Sequence, residues 1–303
     1  METLTRELEG DMLTSLKGQD GRCKMTVAVS CNLSDGVILG VDSAVSIPGP
    51  MGIAKVYENA EKLFQVGKRP IGVAIFGLGG IEARSIGSYL REFEYENSGI
   101  VSSQNTIGDV VEALRLFFMG KYNALVVPAI EKALQAQGKK LEDFPRKEWP
   151  KLGFAIGGFS HRAYLSEVWE IELPRDEAVQ SAHKRRGQGD FGTNWFSLFD
   201  PIQRYIKGAE AKLLEQLLSY CEQLRGSPYS EKEQKELVKI IQSYEYKIPF
   251  AAMPMQEGIA HTRFLVEFVI NHYRYISGPE VVGGKANLGM VTYRGDDFKI
   301  LDD

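Results

Sequence analysis

The sequence has few of the features that would assign it to a specialised class of protein. It contains no run of 18 apolar residues, which argues against a membrane span. Its three cysteines, Cys23, Cys31 and Cys221, have no paired spacing, which argues against a disulfide framework or a zinc site. With four histidines and no HExxH motif, we expect no metal site and no cofactor.

Excess positive charge is also absent. The 303-residue chain has a net charge of −4, which argues against nucleic acid as a general partner. Its hydrophobic content of 44% and charged content of 25% are typical of a globular protein. The polar N-terminus has no apolar core of the kind that secretory signals contain, so we expect a cytoplasmic location.

Residues 1–25 have three interpretations that the sequence leaves open. They form a flexible tail, a leader or propeptide, or sequence upstream of a true start at Met25. A start at Met25 would place a methionine before Thr26, and a small second residue normally permits removal of that methionine.

Two short apolar runs around an Asp-Gly pair predict a β-hairpin. The runs are 27–33 and 37–41, and the turn is 34–36. Thr26 precedes the first strand and Asp42 follows the second. The hairpin is therefore expected to bring a nucleophile and an acid together.

The rest of the chain predicts further strands and helices in groups. Strands are expected at 62–66, 71–76, 153–157, 163–171, 287–293 and 298–301; helices at 81–94, 107–136 (kinked at Pro128), 194–206, 209–244 (a hairpin) and 254–275; and loops at 47–52 and 180–192. Helices in consecutive pairs do not suit a βαβ sheet. They favour an α+β protein with two antiparallel sheets face to face and helices outside both.

Several motifs together resemble one family. Thr26, Gly36, Val41-Asp42-Ser43, Asn59-Ala-Glu-Lys62 and the Gly-rich stretch before a helix resemble the proteasome β-type subunits and their HslV-like bacterial relatives. The step of sixteen residues from Thr26 to Asp42 is that of the family. The similarity extends over nearly all of 26–301, apart from a helical insertion at about 208–250.

The resemblance implies an N-terminal-nucleophile hydrolase fold over 26–303, a four-layer αββα sandwich. It implies a threonine-type peptidase, with Thr26, Asp42 and Lys62 catalytic and Ser43, Gly77, Gly79 and Ser277 supporting them. Peptide or protein substrates, a homo-oligomeric ring and an ATP-dependent unfoldase are the partners that it suggests.

The implied residues form a coherent chemical set. A threonine hydroxyl is a weak nucleophile, and the free α-amine of Thr26, with a pKa near 7.7–8, would serve as its base. Lys62 would favour the alkoxide, and Asp42 would keep Lys62 charged. An amide between Phe76 and Gly79 would bind the oxyanion.

The sequence also departs from the family. Met25 stands where self-processing members have glycine, Arg274 stands where an acid precedes Ser277-Gly278, and Gln188 replaces a serine in the loop 187–190, in which Asp190 is a candidate substitute. These differences keep two alternatives open: a catalytically silent scaffold or ring subunit, and an amidase of small molecules on the same fold.

Overall fold

The computed structural model describes residues 26–49, 52–82, 84–102, 105–136, 138–174, 182–276, 282–293 and 298–301. Contacts divide these residues into a larger unit, 26–198 with 249–301, and a smaller unit, 199–248. The helical insertion predicted at 208–250 overlaps the smaller unit.

The larger unit contains all of the strands among the described residues. They are β1 (Val27–Leu33), β2 (Gly36–Asp42), β3 (Val45–Gly49), β4 (Gly52–Tyr57), β5 (Leu63–Gln65), β6 (Ile71–Gly77), β7 (Gly80–Ile81), β8 (Arg84–Ser85), β9 (Leu152–Gly158), β10 (Glu167–Leu173), β11 (His183–Arg186), β12 (Gly192–Ser197), β13 (Ala286–Thr292) and β14 (Lys299–Leu301).

The α-helices lie in both units. They are α1 (Ile86–Glu96), α2 (Ser98–Ser102), α3 (Ile107–Lys121), α4 (Val127–Gln135), α5 (Asp200–Lys207), α6 (Ala211–Arg225), α7 (Glu231–Ser243) and α8 (Met255–Tyr275). A π-helical segment, Tyr122–Val126, joins α3 to α4, and 3-10 turns occur at Leu141–Asp143, Arg146–Glu148 and Phe250–Ala252.

Two five-stranded antiparallel sheets form the centre of the larger unit. Sheet I has the order β12-β1-β2-β13-β14, and sheet II has the order β11-β10-β9-β6-β5. Small and branched side chains from both sheets form one buried cluster, in which Phe76 of sheet II stacks on Phe196 of sheet I with ring centroids 5.6 Å apart. The predicted α+β class and the predicted hairpin at 27–41 are therefore confirmed.

Helices cover the outer face of each sheet. Helix α8 contacts β1, β2 and β13, and Gly40 of β2 allows Thr262 and Val266 of α8 to approach the sheet closely. On sheet II, a large apolar core includes Phe93 of α1 and Phe118 of α3. Each sheet thus has one face against the other sheet and one face against helices.

Two segments that the sequence predicts as loops contain strands. In the 47–52 segment, β3 pairs with β4, and the register shifts between Ile47 and Pro48, where proline has no amide to donate. In the 180–192 segment, β11 pairs with β10. Cross-strand ion pairs support β11, since Lys184 lies 3.0 Å from Glu167 and Arg185 lies 2.8 Å from Glu170. The loop predictions were therefore wrong at 47–49 and at 183–186, whereas 187–191 lie outside the strands as predicted.

The helix predicted at 194–206 is a strand followed by a helix. Its first residues form β12, which pairs with β1, and only Asp200–Lys207 is helical. The helix predicted from 81 begins at Ile86, because the Ser85 side chain caps its N-terminus. The irregularity predicted at Pro128 takes the form of the π-helical segment that precedes it. The strand predicted from 163 begins only at Glu167.

The smaller unit is helical throughout its regular structure. Helix α6 ends at Gly226 in the left-handed conformation, and α7 begins with a capping box between Ser230 and Glu233, as the sequence predicts.

None of the helices that the structure describes is long and apolar enough to cross a membrane.

Candidate active site

The first hairpin brings Thr26 and Asp42 together at one end of sheet I. Strands β1 and β2 pair with Ala28 opposite Val41, so the residue before β1 and the last residue of β2 are neighbours. The Asp42 carboxylate accepts hydrogen bonds from the Val27 amide at 3.2 Å and from the Ala44 amide at 3.3 Å. These backbone donors fix the carboxylate beside the head of β1.

Lys62 completes the cluster from sheet II. Its backbone carbonyl accepts from the Ile75 amide at 2.9 Å, which anchors the residue beside β6. Its Nζ lies 2.9 Å from Asp42 Oδ1 and donates to Thr26 Oγ1 at 3.1 Å. The exposed fractions of Thr26, Asp42 and Lys62 are 2%, 0% and 5%. A hydroxyl, an ammonium and a carboxylate therefore meet in an almost dry site.

Burial and mutual attraction oppose each other in the ion pair. Burial raises the pKa of the Asp42 carboxyl, whereas the Lys62 ammonium and the amides of Gly283 and Val27 oppose that increase. Burial lowers the pKa of the Lys62 ammonium, and the Asp42 carboxylate opposes that decrease. The two groups therefore titrate as a coupled pair, in which each charge depends on the other. An ionised pair would lower the cost of an alkoxide at Thr26.

The Gly77–Gly79 segment follows β6 and is shaped by close backbone contacts. Gly77 has φ of 81°, and a Cβ there would overlap the carbonyl oxygen of Lys151. The Leu78 amide donates to the same oxygen at 2.8 Å. A Cβ at Gly79 would lie 3.3 Å from the Val45 side chain. Gly77 thus occupies a position that requires glycine, whereas a side chain at Gly79 would need only a small shift of Val45.

The other predicted supporting residues have different outcomes. Ser43 is buried next to Asp42, and its Oγ accepts a hydrogen bond from the Lys285 amide at 2.8 Å. Ser277 lies outside the described residues. Arg274 lines a small cavity of about 60 Å³ together with Glu58 and Gly284.

The loop 187–190 lies at the far end of β1 from Thr26, so Asp190 is not placed to substitute there for the serine that Gln188 replaces. The carbonyl oxygen of Asp190 accepts from the Asn32 side chain at 2.8 Å, and Gln188 donates to Glu167 at 3.2 Å. Asn32 is near the opposite end of β1, about 20 Å along the strand from Thr26. Neither Gln188 nor Asp190 can replace a hydroxyl at the candidate site.

Ser197, which is not among the residues predicted for the site, lies beside Thr26. Ser197 pairs with Val27, and the following amide, that of Leu198, donates to the Thr26 carbonyl oxygen at 3.2 Å. Ser197 has φ of 64°, a left-handed conformation that is costly for a residue with a side chain and is found preferentially at functional sites. The helical interpretation of 194–206 hid this residue, and no local pattern in the sequence indicates it.

Comparison with known proteins adds no assignment to this geometry. No protein-family model matches the chain, and no curated protein matches its sequence. Among the described residues, no group of three His, Cys, Asp or Glu side chains could hold a metal ion.

Proposed function

We propose that this chain is a threonine-type peptidase of the proteasome β-subunit kind, with Thr26 as its N-terminal nucleophile. The observation that carries the proposal is the contact of one ammonium, Lys62 Nζ, with both Thr26 Oγ1 and Asp42 Oδ1 in a buried site. The sequence of helices, sheet, sheet and helices supports the finer assignment to a four-layer αββα sandwich.

The proposed reaction begins after the Met25–Thr26 bond has been cut. The free Thr26 amine then removes the proton from Oγ1 as that oxygen attacks the substrate carbonyl carbon. Lys62 stabilises negative charge on the attacking oxygen, and Asp42 holds Lys62 in position. The Leu78 amide is engaged by Lys151, so we assign the oxyanion donor to the Gly79 amide. The protonated amine then gives its proton to the leaving amine, and water hydrolyses the acyl ester.

The proposal includes an oligomeric and cellular setting. We place the active protein in a homo-oligomeric ring in the cytoplasm, acting on peptides or unfolded proteins, with an ATP-dependent unfoldase as the candidate partner. Size measurement in solution tests the ring independently of catalysis.

The decisive experiment combines N-terminal sequencing with inhibitor labelling. We expect the active protein to begin at Thr26, to hydrolyse peptides, and to react with an electrophilic threonine-protease inhibitor at that residue. Thr26→Ala should abolish both activities, whereas Thr193→Ala, a change at another buried threonine of sheet I, should preserve them.

Three results would contradict the proposal in different ways. Activity in protein that retains residues 1–25 would exclude Thr26 as an N-terminal nucleophile. A chain that begins at Thr26 and neither hydrolyses peptides nor reacts with the inhibitor would indicate a scaffold subunit. Turnover of simple amides without peptides would indicate a small-molecule amidase.

A further inference from the structure

The segment Gly283–Lys285, which leads into β13, contacts the candidate site through its backbone. The Gly283 amide donates to Asp42 Oδ2 at 3.5 Å, and the Lys285 amide donates to Ser43 Oγ at 2.8 Å. Two adjacent residues at the end of β2 are therefore held by one short segment that is about 240 residues away in the sequence. This segment is not among the residues predicted for the site.

Ser43 connects the Gly283–Lys285 segment to the stretch of backbone that leads to Lys62. The Ser43 hydroxyl donates to the Glu58 carbonyl oxygen, and the Ser43 carbonyl accepts from the Ala60 amide at 2.8 Å. Ala60 precedes Lys62 by two residues. Asp42 precedes Ser43 directly. Ser43 therefore sets the spacing between the segment that carries the Asp42 carboxylate and the segment that carries the Lys62 ammonium.

Gly284 permits the three segments to meet. It has φ of 70°, and a Cβ at this position would overlap Ser43 Oγ and crowd the Glu58 carbonyl oxygen. No other residue type fits both the backbone conformation and the space.

We propose that Gly283–Lys285 is a positioning element of the active site, which acts through Ser43 to fix Asp42 and Lys62 relative to Thr26. The inference rests on the proposed function for its catalytic consequence, but the positioning itself does not. Catalytic groups need to be held within about 0.5 Å of their productive geometry, and a misplacement of 1 Å can lower a rate about 100-fold. Ser43 and Gly284 are thus positioning residues, since neither touches the reacting oxygen.

The test uses the full chain and two variants of the element. Ser43→Ala removes the donor to Glu58 and the acceptor for Lys285, and Gly284→Ala introduces the overlap with Ser43. Ser30→Ala is the matched control, because Ser30 is a buried serine of β1 that binds Asn194 about 13 Å along the strand from Thr26. If Gly284→Ala does not fold, Ser43→Ala alone decides the result.

The primary readout does not depend on catalysis. The titration of Lys62 is followed by NMR of lysines labelled at Cε, with the Lys62 signal assigned by Lys62→Arg. We expect Ser43→Ala and Gly284→Ala to shift the Lys62 titration, and Ser30→Ala to leave it as in the wild type. An unchanged Lys62 titration in Ser43→Ala would overturn the inference.

The activity readout separates this inference from the proposed function. In protein that begins at Thr26, we expect Ser43→Ala to lower kcat about 10- to 100-fold with KM within about 2-fold, and Ser30→Ala to retain wild-type values. A shifted Lys62 titration in a chain without Thr26-dependent hydrolysis would support the positioning element and refute the peptidase. Wild-type kcat in Ser43→Ala would overturn the positioning element and leave the peptidase intact.

Discussion

Replacing Lys62 by methionine should destabilise the protein strongly, because it leaves a buried carboxylate without its cation. Lys62 and Asp42 are 5% and 0% exposed, and their charged atoms are 2.9 Å apart. Removal of one partner from a buried pair typically costs about 3–5 kcal/mol of unfolding free energy. Methionine preserves most of the side-chain volume, so most of the loss reports on charge.

The variant Asp42→Asn should destabilise by a similar amount, because it leaves a buried ammonium. The double variant Asp42→Asn with Lys62→Met should lose less than the sum of the two single changes, because it contains neither uncompensated charge. A matched surface control is Lys151→Met. Lys151 lies 3.3 Å from Glu172 with both side chains partly exposed, so its loss should cost about 0–1 kcal/mol.

The effect should also depend on pH with a defined sign. Burial already raises the pKa of Asp42, and removal of Lys62 raises it further. At pH values above 3.8, the ordinary pKa of an aspartate, the unfolded chain has released the Asp42 proton, whereas the folded variant still binds it. The unfolding free energy of Lys62→Met should therefore fall as pH rises from 3.8 to the raised pKa of the folded Asp42. The stability that the variant loses relative to the wild type should accordingly be smaller in acid.

Urea unfolding followed by tryptophan fluorescence is a suitable assay. All three tryptophans, Trp149, Trp169 and Trp195, lie in the larger unit, so the signal reports on the unit that contains the site. Additive losses in the double variant, or a loss in Lys62→Met no greater than in Lys151→Met, would refute the interpretation of the pair as buried and ionised.

Two further predictions concern buried groups outside the site. Burial lowers the pKa of His261, so the unfolded chain takes up a proton first and stability should fall as pH decreases below about 6.5, by up to about 1.4 kcal/mol per pH unit. Urea unfolding of His261→Asn should lack this slope, and that of the exposed His161→Asn should retain it; equal slopes in both would contradict the assignment. Burial also raises the pKa of the Cys31 thiol to about 11, so iodoacetamide at pH 8 should modify the exposed Cys221 and leave Cys31 unmodified. Peptide mapping by mass spectrometry measures both sites, and equal modification would show that Cys31 is accessible.

Local chemistry in the sequence was sufficient to predict the first hairpin and several helix ends. The Asp35-Gly36 pair between apolar runs places Thr26 next to Asp42, and Ser230 with Glu233 marks the start of α7. Each of these features depends on residues within a few positions of one another. The approach of Lys62 to the hairpin depends on the packing of one sheet on the other, and only the resemblance to a family suggested it.

The elements that were missed depend on partners far away in the sequence. The segment 194–197 is a strand because it pairs with β1, about 165 residues earlier, and its own composition does not reveal that partner. The basic segment His183–Arg186 is a strand because acidic residues of β10 lie opposite it. The pairing of β12 with β1 places Ser197 beside the site, and the pairing of β13 with β2 places Gly284 there.

The energetic cost of the buried Lys62–Asp42 pair is consistent with the proposed role of the pair in catalysis. A buried ion pair is weak support for stability, since well-packed apolar residues of similar volume often stabilise a core as much or more. A buried ammonium has three donors, so the Thr26 hydroxyl also serves to satisfy one of them. Here the ammonium donates to the Thr26 hydroxyl as well as to the carboxylate, and cleavage of the Met25–Thr26 bond would place a free amine on the residue that carries this hydroxyl. If Thr26 is the nucleophile, as we propose, the reactivity that the two charges would give it explains the cost of burying them.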